Sequence, residues 1–194
     1  MNEQASPIDH VTPGVWAAFE AVPEHLVAEI VDGELHTQPR PRAVHARGAS
    51  RLGRSLAPFD DDPASGGPSG WIILNEPELR LGERPDVLVP DLAGWRRERM
   101  PVMPDVAAFE LPPDWVCEVI SPGTERLDRT RKMRTYRREA IAHLWFLSPE
   151  LQMLEVYRLV AGSYVLLETF EGDARVRAEP FDAIELVLAA LWAR

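Results

Sequence analysis

The spacing of apolar residues along the chain predicts four helical segments. Between 43 and 57 they recur at about every fourth position, as in an amphipathic helix with one face against a core. Threonine stands at the start of two further predicted helices, over 12–22 and 124–140, where its side chain can cap the first turn. A last helix is predicted near 183–192. The long stretches between these segments must therefore form the rest of the fold.

Short apolar stretches separated by Gly, Pro and Asp predict strands between the helices. Residues 26–38 form a predicted hairpin about the turn signal Asp32-Gly33. A segment rich in Asp, Gly, Ser and Pro, 60–70, predicts a surface loop. The order of elements indicates a mixed α/β domain with one central sheet, over residues 1–194. The strands predicted outside the hairpin are 71–74, 78–81, 87–89, 92–95, 115–120, 143–147, 151–159, 163–170 and 174–178.

Composition narrows the classes of function. The chain has 194 residues, enough for one domain with a real core, and its 31 acidic against 21 basic residues give a net charge of −10. Such a chain does not bind nucleic acid by bulk charge, so any contact with a phosphate backbone must be local. The single cysteine excludes an intramolecular disulfide and a cysteine-based zinc site. Residues 1–10 lack a secretory signal and the apolar run 184–192 is too short to span a bilayer, so we expect a cytoplasmic protein without a membrane segment.

One basic residue departs from the rest. Of the 21 basic residues, 20 are arginine, and the only lysine is Lys132. It lies in the predicted helix 124–140, on roughly the same face as Asp128. An ordinary Asp–Lys pair at i,i+4 is one explanation. Arginine would serve that purpose equally well, whereas a site that needs a compact ammonium on a flexible stem would not accept it.

Two acids stand where carboxylates are unusual. Glu118 interrupts the apolar strand 115–120, where an ionised group costs several kcal/mol (about 2–7 even for a merely polar one) unless a partner or a metal compensates. The alternative is that Glu118 faces solvent on the polar side of a half-buried strand. Most Pro-Asp pairs belong to turns, but Asp91 is distinguished by its place at the start of the predicted strand 92–95. Asp86 is its nearest rival.

These residues bring out a resemblance to a known family. The segments that carry it are Val-Pro-Asp-Leu at 89–92, Asp-Trp-Val-Cys-Glu-Val-Ile-Ser-Pro-Gly-Thr at 114–124, His-Leu-Trp-Phe-Leu-Ser-Pro at 143–149 and Ala-Glu-Ile-Val-Asp-Gly-Glu-Leu at 28–35, with Asp128, Lys132 and Tyr136 between them. In this combination the chain resembles the Uma-two family of restriction-endonuclease-like proteins, in the PD-(D/E)XK nuclease superfamily. The resemblance covers about 20–192 and implies a restriction-endonuclease-like fold, a central mixed sheet flanked by helices.

The resemblance also implies a set of site residues. Asp91 would be the acid of the PD element and Glu118 the acid of the (D/E)XK strand. Ile120 stands where the superfamily lysine is expected, so the pattern is broken there, and Lys132 of the following helix would replace that lysine. Gly123 and Ser148 also depart from the family pattern, in turns that hold no metal ligand. The implied catalytic residues are Asp91, Glu118, Lys132 and Glu29, with Asp91 and Glu118 as metal ligands and His45, Asp128 and Asp86 as accessory candidates.

Converging carboxylates repel each other unless a cation lies between them, and hard oxygen ligands select Mg²⁺ or Mn²⁺. The resemblance thus implies a Mg²⁺- or Mn²⁺-dependent endonuclease that hydrolyses DNA, and it allows a homodimer, since a duplex has two strands to cut. The alternative is a nuclease-fold module that binds DNA or regulates without cleaving it, which the acidic net charge favours slightly. A serine hydrolase has no support, because Gly-x-Ser-x-Gly is absent from the sequence.

Overall fold

The computed structural model describes residues 12–60, 64, 66–82 and 86–193. Its helices are α1 (Pro13–Glu20), α2 (Ala43–Asp60), α3 (Glu125–Leu127), α4 (Met133–Arg138) and α5 (Leu188–Trp192), and a π-helical turn at Asp128–Lys132 joins α3 to α4. The first strands are β1 (Leu26–Val31), β2 (Glu34–Pro39), β3 (Trp71–Asn75), β4 (Leu79–Leu81), β5 (Asp86–Leu88) and β6 (Leu92–Arg96). The later strands are β7 (Trp115–Val119), β8 (His143–Ser148), β9 (Met153–Val160), β10 (Ser163–Glu171), β11 (Arg175–Val176) and β12 (Leu186–Val187).

A mixed sheet forms the centre of the described part of the chain, in the order β10-β9-β8-β7-β6-β3. Strands β7 and β8 are parallel and every other neighbouring pair in this sheet is antiparallel. The crossover between β7 and β8 is made by α3, the π-helical turn and α4. Parallel neighbours require such a crossover, which places this helical segment over one face of the sheet. The predicted mixed α/β fold with a central sheet and flanking helices is confirmed.

A second sheet packs beside the helical crossover. The predicted hairpin is present as β1 and β2, and β5 and β4 extend it in the order β2-β1-β5-β4. The link between β1 and β5 is the pair Ile30–Val87, from positions far apart in sequence. The prediction of one central sheet was therefore too simple, because hydrophobic alternation identifies strands but not their partners.

Two hydrophobic layers cover the two faces of the central sheet. On one face α2 and α5 pack on alternate residues of β7, with Trp115, Cys117 and Val119 in that layer. The opposite face of β7 carries Val116 and packs with Tyr136 of α4 and with residues of β1, β4 and β5. Glu118 lies on this second face, since its position alternates with those of its neighbours in the strand. The acid is thereby directed toward the helical crossover.

Two predicted details at the ends of the helices are wrong. The C-terminal helix covers only Leu188–Trp192, because Leu186 and Val187 pair with β11 as the short strand β12. Thr124 precedes α3 but makes no side-chain capping bond, and its hydroxyl pairs instead with that of Ser121 at 3.1 Å. The expectation for residues 1–10 and part of that for the loop 60–70 fall outside the described residues. None of the described helices has the length and apolar character needed to cross a membrane.

Candidate active site

The π-helical turn directs an acid and the single lysine toward the interior. The amide of Met133 donates to the carbonyl of Asp128, five residues earlier, which widens the helix at this point. Asp128 and Lys132 are 4% and 1% exposed, although the positions around them in sequence are mostly arginines on the outer side. Such turns occur frequently at functional sites. Because Asp128 and Lys132 are buried and the surrounding arginines are not, the helix has a charged outer side and a buried polar inner side.

Lys132 contacts carboxylates from three elements. Its Nζ atom lies 2.9 Å from Oε1 of Glu29 in β1, 2.8 Å from Oε1 of Glu118 in β7 and 3.4 Å from Oδ1 of Asp128 in its own helix. The predicted i,i+4 pair with Asp128 is therefore present, but it is the longest of the three contacts. Glu29 also accepts a hydrogen bond of 2.9 Å from the amide of Val89, just after β5. The lysine joins both sheets to the crossover.

Glu118 is buried, so the alternative in which it faces solvent is wrong. The residue is 2% exposed, and its Oε1 atom accepts a hydrogen bond from the hydroxyl of Tyr136 in addition to the contact with Lys132. Tyr136 is itself fully buried. An ammonium and a phenol donating to one carboxylate oxygen fix its position and compensate part of its desolvation.

Asp91 is held beside this cluster by two donors. Its Oδ2 atom accepts a 2.7 Å hydrogen bond from the amide of Val119, and Nε2 of His45, near the start of α2, contacts its Oδ1 atom. Leu92 pairs with Cys117 at the end of the ladder between β6 and β7, and the bond to the Val119 amide holds the Asp91 side chain next to the residue that follows Glu118. The two carboxylates are neighbours at this end of the sheet. Asp91 forms no ion pair with Lys132 among the described contacts, and its side chain is 12% exposed.

Asp86 belongs to a different contact set. It accepts hydrogen bonds from the amide of Asp32 at 2.8 Å, from the hydroxyl of Thr135 at 3.0 Å and from Arg138 at 2.9 Å. These donors lie in the turn between β1 and β2 and in α4. Asp86 therefore links the hairpin to the helix. Among the described residues it forms no hydrogen bond or ion pair with Lys132 or Glu118, and its partners are Asp32, Thr135 and Arg138.

The cluster carries more negative than positive charge. Desolvation raises the pKa of Glu118 well above its ordinary value, against the effect of Lys132, and the carboxylates of Asp128, Asp91 and Glu29 raise it further. Burial also raises the pKa of Asp128, while Lys132 opposes it. For Lys132, burial alone would lower the pKa, but Glu118, Glu29 and their neighbours reverse this and hold it well above its ordinary value. Burial is the main cause of the raised pKa values of the two acids, and the neighbouring carboxylates add to it, while the same carboxylates keep the ammonium charged.

Comparison with known proteins identifies the family of this chain and a similar fold. Residues 16–190 match the model of a family described as "Uma2: Putative restriction endonuclease". The chain belongs to the Uma2 family. A solved structure, described as "a putative nuclease belonging to DUF820" from Anabaena variabilis, is similar with a TM-score of 0.69 and 21% identity, over 92% of this chain and 97% of that one. At this identity the likeness concerns the fold. A search of curated proteins finds no match.

The donors of this Uma2 site suit a hard divalent cation. No group of three or more His, Cys, Asp or Glu side chains in the described part of the chain forms a ready cage for a metal ion. Mg²⁺ is nevertheless usually held by one or two carboxylates and several waters. The carboxylates of Asp91 and Glu118 could supply such ligands, and the excess of acids around them is compatible with a bound cation.

Sequence reasoning identified most members of the cluster but gave no role to Tyr136. The structure brings together Glu29, Glu118, Asp128 and Lys132, and it sets Asp91 and His45 next to them. Tyr136 follows Lys132 by four residues, so helical spacing could have placed its side chain on the same inner face. Its hydrogen bond to Glu118 could not have been read from spacing, because it depends on the distance between α4 and β7.

Proposed function

We propose that this Uma2 protein is a metal-dependent endonuclease that hydrolyses phosphodiester bonds in DNA, with Asp91, Glu118 and Lys132 at its active site. The observation that carries the proposal is the buried Lys132 ammonium between Glu118 and Glu29, with the Asp91 carboxylate held by the amide of Val119, the residue after Glu118. A charged cluster of this kind is costly to bury. The description of the family to which the chain belongs supports a nuclease function for this cluster.

Each residue has a distinct part in the proposed reaction. Asp91 and Glu118 would hold Mg²⁺ or Mn²⁺, which when bound lowers the pKa of a coordinated water and neutralises charge on phosphoryl oxygens. Lys132 supplies a fixed positive charge at the same place, where negative charge develops in the transition state. The other members position these groups: Glu29 and Asp128 orient the ammonium, Tyr136 orients Glu118, and His45 with the Val119 amide orients Asp91.

We infer a single domain over 1–194 and a cytoplasmic location, which the single cysteine favours. A homodimer would place two such sites on the two strands of a duplex. With a net charge of −10, contacts with DNA must be confined to local positive surfaces.

A second candidate function is DNA binding or regulation without cleavage. The observation that favours it is burial, because Glu29, Glu118, Asp128 and Lys132 are all less than 5% exposed. In that case the lysine would be the internal counterion of a structural cluster. The two candidates differ in whether the purified protein cuts DNA.

A plasmid-nicking assay with Mg²⁺ or Mn²⁺ tests the proposed function. We expect the wild type to cut, and Asp91→Asn and Glu118→Gln to reduce the rate at least about a hundredfold, because each removes a charged ligand. Lys132→Arg should also lose cleavage, since a guanidinium cannot replace a compact ammonium in an enclosed site. Asp105→Asn removes an exposed carboxylate of the loop before β7 and serves as the control. Cleavage that persists in the Asp91 and Glu118 variants, or a wild type that does not cut with either metal, would contradict the proposal.

Calorimetric titration with Mn²⁺ tests the ligand set separately from catalysis. We expect Asp91→Ala and Glu118→Ala each to abolish measurable binding, because both carboxylates are needed to hold the ion. Asp105→Asn, which removes an exposed carboxylate of the loop before β7, should bind as the wild type does. Unchanged binding in either alanine variant would remove that residue from the metal site.

A further inference from the structure

An open groove of about 940 Å³ lies on the outer side of the helix that carries Lys132. Its walls come from the helical crossover, from β2 and from the beginning of β10. The groove is lined by arginines of α3, the π-helical turn and α4, and by a histidine of β2. The basic lining residues are Arg126, Arg129, Arg131, Arg134, Arg137 and His36.

The charge of this groove is opposite to that of the whole chain. No Asp or Glu is among its lining residues, whereas the chain carries a net charge of −10. Five of the 20 arginines line this one surface. Because the chain as a whole is acidic, it can contact a polyanion only where positive charge is concentrated locally, as in this groove.

Two of the groove arginines have no acidic partner in the described part of the chain. Arg126 and Arg137 are exposed and form no ion pair with any residue that the structure describes. They are 11 positions apart, so about 16 Å of helix separates them at 1.5 Å per residue. A single small anion cannot contact both, whereas a backbone with a phosphate at every nucleotide presents charges along the whole distance.

The other three arginines hold the walls of the groove in place. Arg131 pairs with Glu34, and Arg134 lies 3.0 Å from Asp32, so the β1–β2 hairpin is tied to the helix from its outer side. Arg129 contacts Glu125 at 2.9 Å, and its guanidinium lies 4.8 Å from the ring centroid of Phe146. The Arg134–Asp32 pair is exposed on both sides, so an anionic ligand can compete for its guanidinium at little cost.

We propose that this groove binds the sugar–phosphate backbone of the DNA substrate, through Arg126 and Arg137. The inference rests on the proposed function, since that function makes DNA the ligand. The groove lies on the opposite side of the helix from Lys132, so the phosphates it holds are not the ones that are cut. It fixes the duplex relative to the cluster by contacts that carry no base information.

The test is binding of a short fluorescein-labelled duplex in EDTA, measured by fluorescence anisotropy from about 50 to about 200 mM salt. For Arg126→Gln/Arg137→Gln we expect the affinity to fall by about tenfold or more, and the slope of log K against log salt to shrink by about 2. The control is Arg54→Gln/Arg177→Gln, which also removes two positive charges, but from exposed positions outside the groove. It should leave the affinity and the salt slope unchanged.

Each outcome decides the inference. Equal binding by the groove variant and the control variant overturns it, as does a wild type that does not bind the duplex. Competition by inorganic tripolyphosphate as strong as that by unlabelled duplex would show a site for small anions and would also overturn it. Because the assay contains no divalent metal, a protein that binds through the groove but never cuts contradicts the proposed function alone. A protein that cuts while the groove variant binds normally contradicts this inference alone.

Discussion

Lys132 shows how a single side chain can connect distant parts of a fold. Among the described residues it is the one lysine or arginine that is buried, and its ammonium contacts acids from β1, β7 and its own helix. An ammonium can turn its three donors toward three acceptors that are not coplanar, whereas a guanidinium offers donors in one plane. This geometry gives a physical reason for the lysine at 132 in a chain that otherwise uses arginine.

Replacing Lys132 by methionine isolates the contribution of its charge. The methionine side chain keeps most of the apolar stem but leaves Glu29 and Glu118 without their cation. We expect the free energy of unfolding to fall by about 3–5 kcal/mol, the usual effect of breaking a buried ion pair from one side. Urea denaturation at neutral pH in EDTA measures this change.

The control for this prediction is Arg134→Met on the same helix. Arg134 pairs with Asp32, but both side chains are largely exposed, so we expect a loss of less than about 1 kcal/mol. If the two methionine variants lose the same amount, the buried cluster does not depend on the lysine charge.

At the scale of secondary-structure elements, Asp86 is the joint between the hairpin and the helical crossover. It is 2% exposed and accepts bonds from Asp32 in the hairpin turn and from Thr135 and Arg138 in α4. Glu29 belongs to that hairpin, and Lys132 immediately precedes α4. The distance between the Glu29 carboxylate and the Lys132 ammonium therefore depends on the hydrogen bonds that Asp86 accepts.

We expect Asp86→Ala to lower the free energy of unfolding by about 3 kcal/mol, because it leaves a buried hydroxyl and an amide without their acceptor. Arg138→Gln, which removes one partly exposed donor and keeps Asp86, should cost less than about 1 kcal/mol. Chemical denaturation of the two variants compares them. A loss in Asp86→Ala as small as that in Arg138→Gln would mean that the joint contributes little.

The elements also show which parts of this structure a sequence can predict. The hairpin about Asp32-Gly33 and the strand that contains Glu118 follow from turn signals and apolar alternation, and both are present. The pairing of β1 with β5 does not follow, because it depends on contacts between positions that are distant in sequence. Apolar spacing predicts regular helix at Asp128–Lys132, where the structure has a π-helical turn. Spacing does not reveal this turn, because its buried side chains make contacts with residues distant in sequence.

The same division applies to the site. The residue types and their spacing selected Glu118, Asp91 and Lys132, since each is unusual at its position. Whether an acid in an apolar strand is buried or faces solvent depends on what covers the strand, and here the cover is α4 with Tyr136. The start of a predicted strand favours Asp91 over Asp86, but the sequence does not show which residues either carboxylate contacts.

At the scale of the whole molecule, charge is sorted between the two sides of one helical segment. Its inner side carries Asp128 and Lys132 in a cluster with excess negative charge, and its outer side carries the arginines of the groove. A total of −10 hides this separation, because the sum contains no information on position. One short helical segment therefore contributes both to a site that attracts cations and to a surface that attracts anions.

The inner cluster should make the stability of the whole protein depend on pH. Burial, together with neighbouring acids, raises the pKa of Glu118 in the folded protein above its ordinary value of 4.5, so above that pH the folded state binds more protons than the unfolded state. The contribution of Glu118 to the free energy of unfolding then decreases as pH rises from the ordinary pKa through the raised one. The pKa of Lys132 is also raised, but from 10.5, so its stabilisation is fully present below that pH and is lost only at higher pH.

Glu118→Gln tests this linkage, because glutamine resembles the protonated acid at every pH. We expect its stability relative to the wild type to increase between about pH 5 and about pH 8, measured by urea denaturation in EDTA so that no divalent ion compensates the charge. Glu34→Gln is the control: Arg131 lowers the pKa of Glu34 below 4.5, so the stabilisation from Glu34 is lost only as pH falls below that range. A Glu118→Gln difference that is flat or declines over the same interval would show that Glu118 remains ionised in the folded protein, and that the lysine alone compensates its burial.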